Sequence, residues 1–244
     1  MYIIKNGLPK YMMPLAYFFA FSGVIAGLPA FQANQVVQLT NDLYFPEVEN
    51  FSYFAGAFLV VITAAVVLGG LKRIANVSAL LVPFMGGLYL VAVLIAVMLN
   101  YQQFFPALRL IVTEAFSIDS AVAGGLVGVI LTGIKRGAFS NEAGIGTEAL
   151  IHGAAKTSNP VKQGLIAMTG PIFDTLIMCT LTAVIILISG VYQTSDSQGV
   201  TLTSEAFLTT LGPVGPIILF VCVVSFGLST IFTYSYYGSC LLYT

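Results

Sequence analysis

The chain has 244 residues, of which 58% are hydrophobic and 8% charged, with a net charge of −1. Soluble domains carry about 25% charged residues, so this composition excludes an ordinary water-soluble fold. The balanced charge also excludes the basic footprint of a nucleic-acid-binding protein, so no nucleic-acid partner is expected and the lipid bilayer is.

A helix needs about 20 mostly apolar residues to cross a bilayer, and six stretches of the sequence meet that need. The first covers residues 11–38 and is interrupted by Pro14 and Pro29. The second covers 51–71 and the third 75–99. Residues 105–119 mix apolar side chains with Arg109, Glu114 and Asp119, which suits an interfacial helix rather than a span. The fourth span begins near Ala121, is rich in glycine, and is expected to run to residue 156 with a break. The fifth covers 161–190 and the sixth 206–243. The fold class is therefore all-α: a polytopic membrane helix bundle, forming a single transmembrane domain over residues 1–244.

Basic residues set the orientation, because loops that stay in the cytoplasm are enriched in Lys and Arg. Lys5 and Lys10 precede the first span, Lys72 and Arg73 separate the second from the third, and Lys156 and Lys162 separate the fourth from the fifth. The alternate loops, 41–50 and 191–205, carry no Lys or Arg but hold Asp42, Glu47, Glu49, Asp196 and Glu205. Alternating crossings then place the N-terminal end in the cytoplasm. No small-residue cleavage site follows Lys5 and Lys10, so this end does not read as a signal peptide. The chain has no tryptophan, and Tyr44, Tyr53, Tyr101, Tyr192 and Tyr236 are the candidates for an aromatic belt.

Polar chemistry interrupts the apolar stretches in four places. The most informative is Ser140-Asn141-Glu142-Ala143-Gly144-Ile145-Gly146, at the end of a Gly-rich apolar run that carries Lys135 and Arg136. Two readings fit. In one, the helix breaks inside the membrane, where irregular backbone survives only if it lines a cavity or is buried in protein. The half-helix ends and free backbone groups then bind a charged ligand, with Glu142 placed to face the ammonium of an amino acid. In the other, residues 140–146 are a cytoplasmic loop ending the span, flanked by Lys135 and Arg136. The second place is Asp174, well inside the fifth span, where a carboxylate costs at least ~2.5 kcal/mol unless paired or solvated. It should face the bundle, either as part of a site or as an acid that ties helices together.

The third place is Gln32, with Asn34 and Gln35, after Pro29. Amides inside a span ligate substrate or hold helices together. The fourth is Ser229-Thr230 in the sixth span. Their hydroxyls offer oxygens to a hard cation, or bond back to carbonyls of their own helix. His152 is the single histidine and reads as a packed helix residue, and Cys179, Cys222 and Cys240 read as small core residues. No Gly-x-Ser-x-Gly or His-Glu-x-x-His motif is present, which argues against an intramembrane enzyme.

Residues 136–146, RGAFSNEAGIG, followed by 152–157, HGAAKT, closely resemble the alanine/glycine:cation symporter family, also called the sodium:alanine symporter family. Residues 1–8, MYIIKNGL, resemble the segment entering that family's third core helix. Residues 174–180, DTLIMCT, resemble its seventh helix, and 226–240, FGLSTIFTYSYYGSC, its eighth. The resemblance implies a leucine-transporter-type fold of two inverted five-helix repeats, of which this chain supplies core helices three to eight, a partial copy. It further implies that helix six is the broken one, which favours the first reading of residues 140–146. Helices one and two would precede Met1 and helices nine and ten follow Thr244, so the chain is expected to be an internal fragment that does not transport by itself.

The function implied is sodium-coupled symport of small neutral amino acids, alanine or glycine, across the cell membrane by a monomer. Sodium is then the coupling ion and no other cofactor is expected. On this template Gln32, Asn141, Glu142, Ala143 and Gly144 bind substrate, and Ser229 and Thr230 bind sodium. Gln32, Ser229 and Thr230 approach one central cavity, and Ser140, Asp174 and Thr175 are further polar residues of the site. Thr147-Glu148-Ala149 stands where many family members have Ser-Ala-Pro, which leaves substrate preference open. A proton-coupled transporter of the same fold, with Glu142 and Asp174 carrying protons, is the nearest alternative. A structural membrane subunit is a more distant one.

Overall fold

The computed structural model describes residues 6–115 and 126–242, and among these residues every regular element is a helix. A single 3-10 turn over Lys10–Met12 leads into α1 (Met13–Ala26). Pro14 sits in its first turn, where a missing N–H breaks no helical hydrogen bond. The helix stops at Gly27, and α2 (Ala30–Tyr44) begins after Pro29, which cannot donate to continue the turn. There follow α3 (Phe51–Val67), α4 (Gly70–Leu99, with Pro83 inside it) and α5 (Tyr101–Ala115, with Pro106 inside it). The chain continues with α6 (Leu126–Phe139) and two short helices, α7 (Glu142–Ile145) and α8 (Glu148–His152). The last three are α9 (Pro160–Ser189), α10 (Val200–Leu211) and α11 (Val214–Leu242).

Among the described residues, four helical stretches are long and apolar enough to cross a membrane: Lys10–Tyr44, Gly70–Leu99, Pro160–Ser189 and Val214–Leu241. α3 is apolar but shorter. The helix expected over 105–119 is α5, which begins earlier, at Tyr101. Residues 116–119, Asp119 among them, and the start of the fourth span near Ala121 lie outside the described residues. The expected sixth span, 206–243, is two helices rather than one. Gly212 (φ 69°, ψ −158°) and Pro213 end α10 and restart the chain as α11. Pro213 has no N–H to donate and cannot carry α10 onward.

α9 is not uniform. Asn159 caps it, its side-chain oxygen accepting from the N–H groups of Val161 (3.0 Å) and Lys162 (3.2 Å), with Pro160 at the first helical position. Further along, Ile172–Cys179 is wound as a π-helix before α-geometry resumes at Thr180. Pro171 stands directly before this segment and lacks the donor that an α-helical register needs there. Nearby carbonyls find hydroxyl donors instead: Thr169 Oγ1 donates to Ile166 O (2.7 Å) and Thr182 Oγ1 to Met178 O (2.8 Å).

The chain divides into two compact units. One comprises Met1–Gly86, Ala149–Ala154 and Phe220–Thr244. In it α2 packs on α3, and Tyr44 meets Phe220 edge to face with ring centroids 5.0 Å apart. α2 and α11 touch where Val36 lies against Gly227, so that a β-carbon at 227 would collide with the valine methyl. Small residues at such crossings matter because lipid offers no hydrophobic drive between helices, and close van der Waals contact must supply the attraction. Leu39, Phe232 and Tyr237 are fully buried in this unit.

The other unit comprises Gly87–Glu148 and Ala155–Leu219. Here the last turns of α9 pack on α10 and on α5, and Ala107, Val184 and Ile188 form a buried apolar cluster. Tyr89 pairs its hydroxyl with that of Thr182 and lays its ring near the fully buried Phe207, with centroids 5.7 Å apart.

Candidate functional site

The helical rod of α6 ends at Phe139. Asn141 is fully extended (φ −147°, ψ 164°), and α7 starts at the next residue. Two polar residues favour this local geometry over a further helical turn, because Ser and Asn offer the backbone competing hydrogen bonds. Asn141 is the N-cap of α7, its Oδ1 accepting from Gly144 N–H at 2.9 Å. Its Nδ2 donates to Thr175 Oγ1, also at 2.9 Å. One amide therefore closes the break locally and fastens it to the π-segment of α9. Ser140 adds a second tie, its hydroxyl lying 2.9 Å from Thr175 Oγ1 and 3.4 Å from Cys179 Sγ.

The two glycines of the segment have separate tasks. Gly144 lies directly on the backbone of Ala138, whose carbonyl oxygen occupies the space a β-carbon would need. The chain after the break therefore folds back against the last turn of α6. Gly146 is left-handed (φ 84°) and ends α7: Gly146 N–H and Thr147 N–H both donate to Glu142 O, at 2.9 and 3.1 Å. Glu142, the first residue of α7, is half-buried, and Ala143 and Gly144 are exposed.

Asp174 is the third residue of the π-helix and is half-buried. It forms no ion pair among the described residues. π-segments inside α-helices recur at functional sites, because the wider turn re-aims side chains and loosens the backbone register. Here the segment carries Asp174, and beside it Thr175, the hydroxyl that holds the break.

Gln32, Ser229 and Thr230 belong to the other unit. Gln32 is one helical turn before Val36 on α2, and its backbone carbonyl lies 3.8 Å from the β-carbon position of Gly227. The side-chain oxygen of Gln32 is buried without a hydrogen-bond partner among the described residues. Ser229 is buried. Thr230 donates its hydroxyl to Phe226 O (3.0 Å), as Thr233 does to Ser229 O (3.0 Å) and Ser235 to Ile231 O (2.8 Å). Back-bonding along α11 is thus real for Thr230, yet a hydroxyl that donates to its own helix keeps lone pairs for a cation.

The structure therefore joins Ser140, Asn141, Gly144 and Thr175 through hydrogen bonds, and sets Gln32 on a helix that touches the one bearing Ser229 and Thr230. Cys179 departs from its reading as a core residue: it is exposed, whereas Cys222 is buried. Thr147, 2% exposed, was absent from the sequence-based site altogether. Among the described residues no group of three or more His, Cys, Asp and Glu is placed to hold a metal.

A helical, multi-pass membrane protein, with a helix that ends at Phe139 and a segment just beyond it bonded to a π-helical stretch, is the class these features define. The sodium:alanine symporter family model matches residues 1–243, and the chain belongs to that family. It is 38% identical over 247 residues to the sodium/alanine symporter AgcS of Methanococcus maripaludis, an alignment covering 98% of this chain and 53% of that protein. It is 37% identical over 183 residues to a probable sodium/glutamine symporter, GlnT, of Bacillus subtilis, covering 75% of this chain and 38% of the relative. A putative sodium/proton-dependent alanine carrier of the same organism, YrbD, is 41% identical over 148 residues, covering 60% and 30%. The chain spans about half the length of AgcS.

Proposed function

We propose that the protein is a sodium-coupled symporter of small neutral amino acids, alanine or glycine, with its N-terminal end in the cytoplasm. The observation that carries this reading is the break at Ser140–Asn141, in a chain that belongs to a symporter family. Asn141, Glu142, Ala143 and Gly144 bind the amino acid there. The backbone at the break supplies groups for the carboxylate, and Glu142 balances the ammonium. Free backbone groups beside a half-helix end stabilise a zwitterion without a buried counter-charge for each pole. Following the family resemblance, Gln32, its amide oxygen buried without a partner among the described residues, is assigned to substrate, and Ser229 and Thr230 are assigned to sodium through their oxygens.

Coupling requires that each ligand raise the affinity for the other by the same factor. Alternating access by rocking of one bundle against another, on a leucine-transporter-type arrangement of core helices three to eight, completes the reading. The full-length protein in liposomes is expected to accumulate radiolabelled alanine when sodium is higher outside, and glutamine less well. Uptake indifferent to sodium contradicts the coupling. Glu142→Gln is expected to lower uptake at least tenfold, because hydrogen bonds to charged groups contribute about 1.5–3 kcal/mol, and normal uptake by that variant removes Glu142 from the site.

Asp174 supports a second reading, proton coupling. It is a carboxylate inside a long apolar helix with no ion pair among the described residues. Uptake driven by a pH gradient in the absence of sodium decides for it.

A further inference from the structure

Three side-chain oxygens are buried without a hydrogen-bond partner among the described residues: Gln32 Oε1, Ser78 Oγ and Thr147 Oγ1. Gln32 is already assigned to substrate, and Ser78 lies within the regular course of α4. Thr147 differs from both because it lies between two short helices, after the left-handed Gly146 and before α8. Its residue is 2% exposed, and its N–H is committed to Glu142 O at 3.1 Å.

Threonines elsewhere in the chain satisfy themselves by donating to the carbonyl four residues back: Thr182 to Met178, Thr210 to Ala206, Thr230 to Phe226 and Thr233 to Ser229. For Thr147 the fourth residue back is Ala143, inside the helix that Gly146 has just ended, so that route is closed. A threonine preceding a helix commonly accepts from an N–H of the first turn, and Thr147 does not do this either. Both capacities of the buried hydroxyl are thus unused among the described residues.

A buried hydroxyl without a partner carries its full desolvation cost, so it disfavours the conformation that strands it relative to one that gives it a partner. We infer that Thr147 is a positioning residue of the transport cycle, its hydroxyl without a partner among the described residues in this conformation and hydrogen-bonded in the one that follows. The inference rests on reading the protein as a transporter that alternates between conformations. It assigns Thr147 no contact with the amino acid.

Thr147→Val keeps the shape and removes the hydroxyl, and Thr147→Ser keeps the hydroxyl. In the full-length protein Thr147→Val is expected to raise the melting temperature of the ligand-free state in detergent. It is also expected to cut the maximal rate of alanine uptake about tenfold, the scale of one lost hydrogen bond, with a smaller change in KM. Thr147→Ser is expected to match wild type in both respects. A Thr147→Val protein that transports at the wild-type rate, is no more stable than wild type, or does not fold would overturn the inference. The stability measurement needs no transport. If wild-type vesicles show no coupled uptake, the proposed function falls, while the melting temperatures still report on Thr147.

Discussion

Asn141 is the residue on which the local geometry turns, because its two amide atoms do different work. Oδ1 caps α7 through Gly144 N–H, and Nδ2 holds Thr175. Replacing an N-cap Asn by Ala costs about 1 kcal/mol, and here the second bond is lost as well. Asn141→Ala is therefore expected to lower the melting temperature in detergent more than Asn141→Asp. The aspartate keeps the cap but cannot donate to Thr175. Equal losses in the two variants would show that the cap contributes nothing beyond the link to Thr175. Gly144→Ala is a harsher change, since the added carbon meets the backbone of Ala138 rather than a movable side chain. Overpacking of this kind costs about 1–3 kcal/mol, and the expected result is poor alanine binding with the rest of the fold retained, measured by equilibrium binding and circular dichroism.

At the scale of elements, the break and the π-segment form one connected device. Thr175 accepts from Asn141 and pairs with Ser140, so Thr175→Val removes both ties while keeping the side chain's shape. That change is expected to weaken alanine binding about tenfold or more, because it leaves Asn141 Nδ2 without its acceptor, whereas Cys179→Ala should have little effect. Unchanged affinity in Thr175→Val would mean that the break does not depend on α9. The end of the helix before Ser140 was legible in the sequence: Ser140-Asn141-Glu142 beside Gly144 and Gly146 is a poor helix under either reading, broken span or loop, and these residues carry part of the family resemblance. The depth of Asp174 in an apolar run was legible too. The π-winding was not, because it shifts the register by a single residue and depends on how Pro171 and nearby hydroxyls share carbonyls in three dimensions. The division of α10 from α11 was missed for a different reason. The apolar run from 206 to 243 is continuous in hydropathy, and hydropathy alone does not register Gly212-Pro213, which is a turn signal in itself. Thr147 could not be found by sequence at all, since an unpaired buried hydroxyl is a property of the packed chain.

For the whole molecule, the chain accounts for about half the length of its relative AgcS, and it carries the break, the π-segment and the helix bearing Ser229 and Thr230. The relatives differ in the amino acid their names carry, alanine for AgcS and glutamine for GlnT. The central claim is that the segment from Ser140 to Gly146 receives an amino acid, and receives it more tightly when sodium is present. Equilibrium binding of radiolabelled alanine to the purified full-length protein, with sodium or with choline in its place, tests that claim most directly when wild type is compared with Asn141→Ala and Glu142→Gln. The expected result is saturable binding in sodium that drops at least tenfold in choline and in both variants. Wild-type affinity in the two variants would contradict the account, because the amino acid would then be held elsewhere.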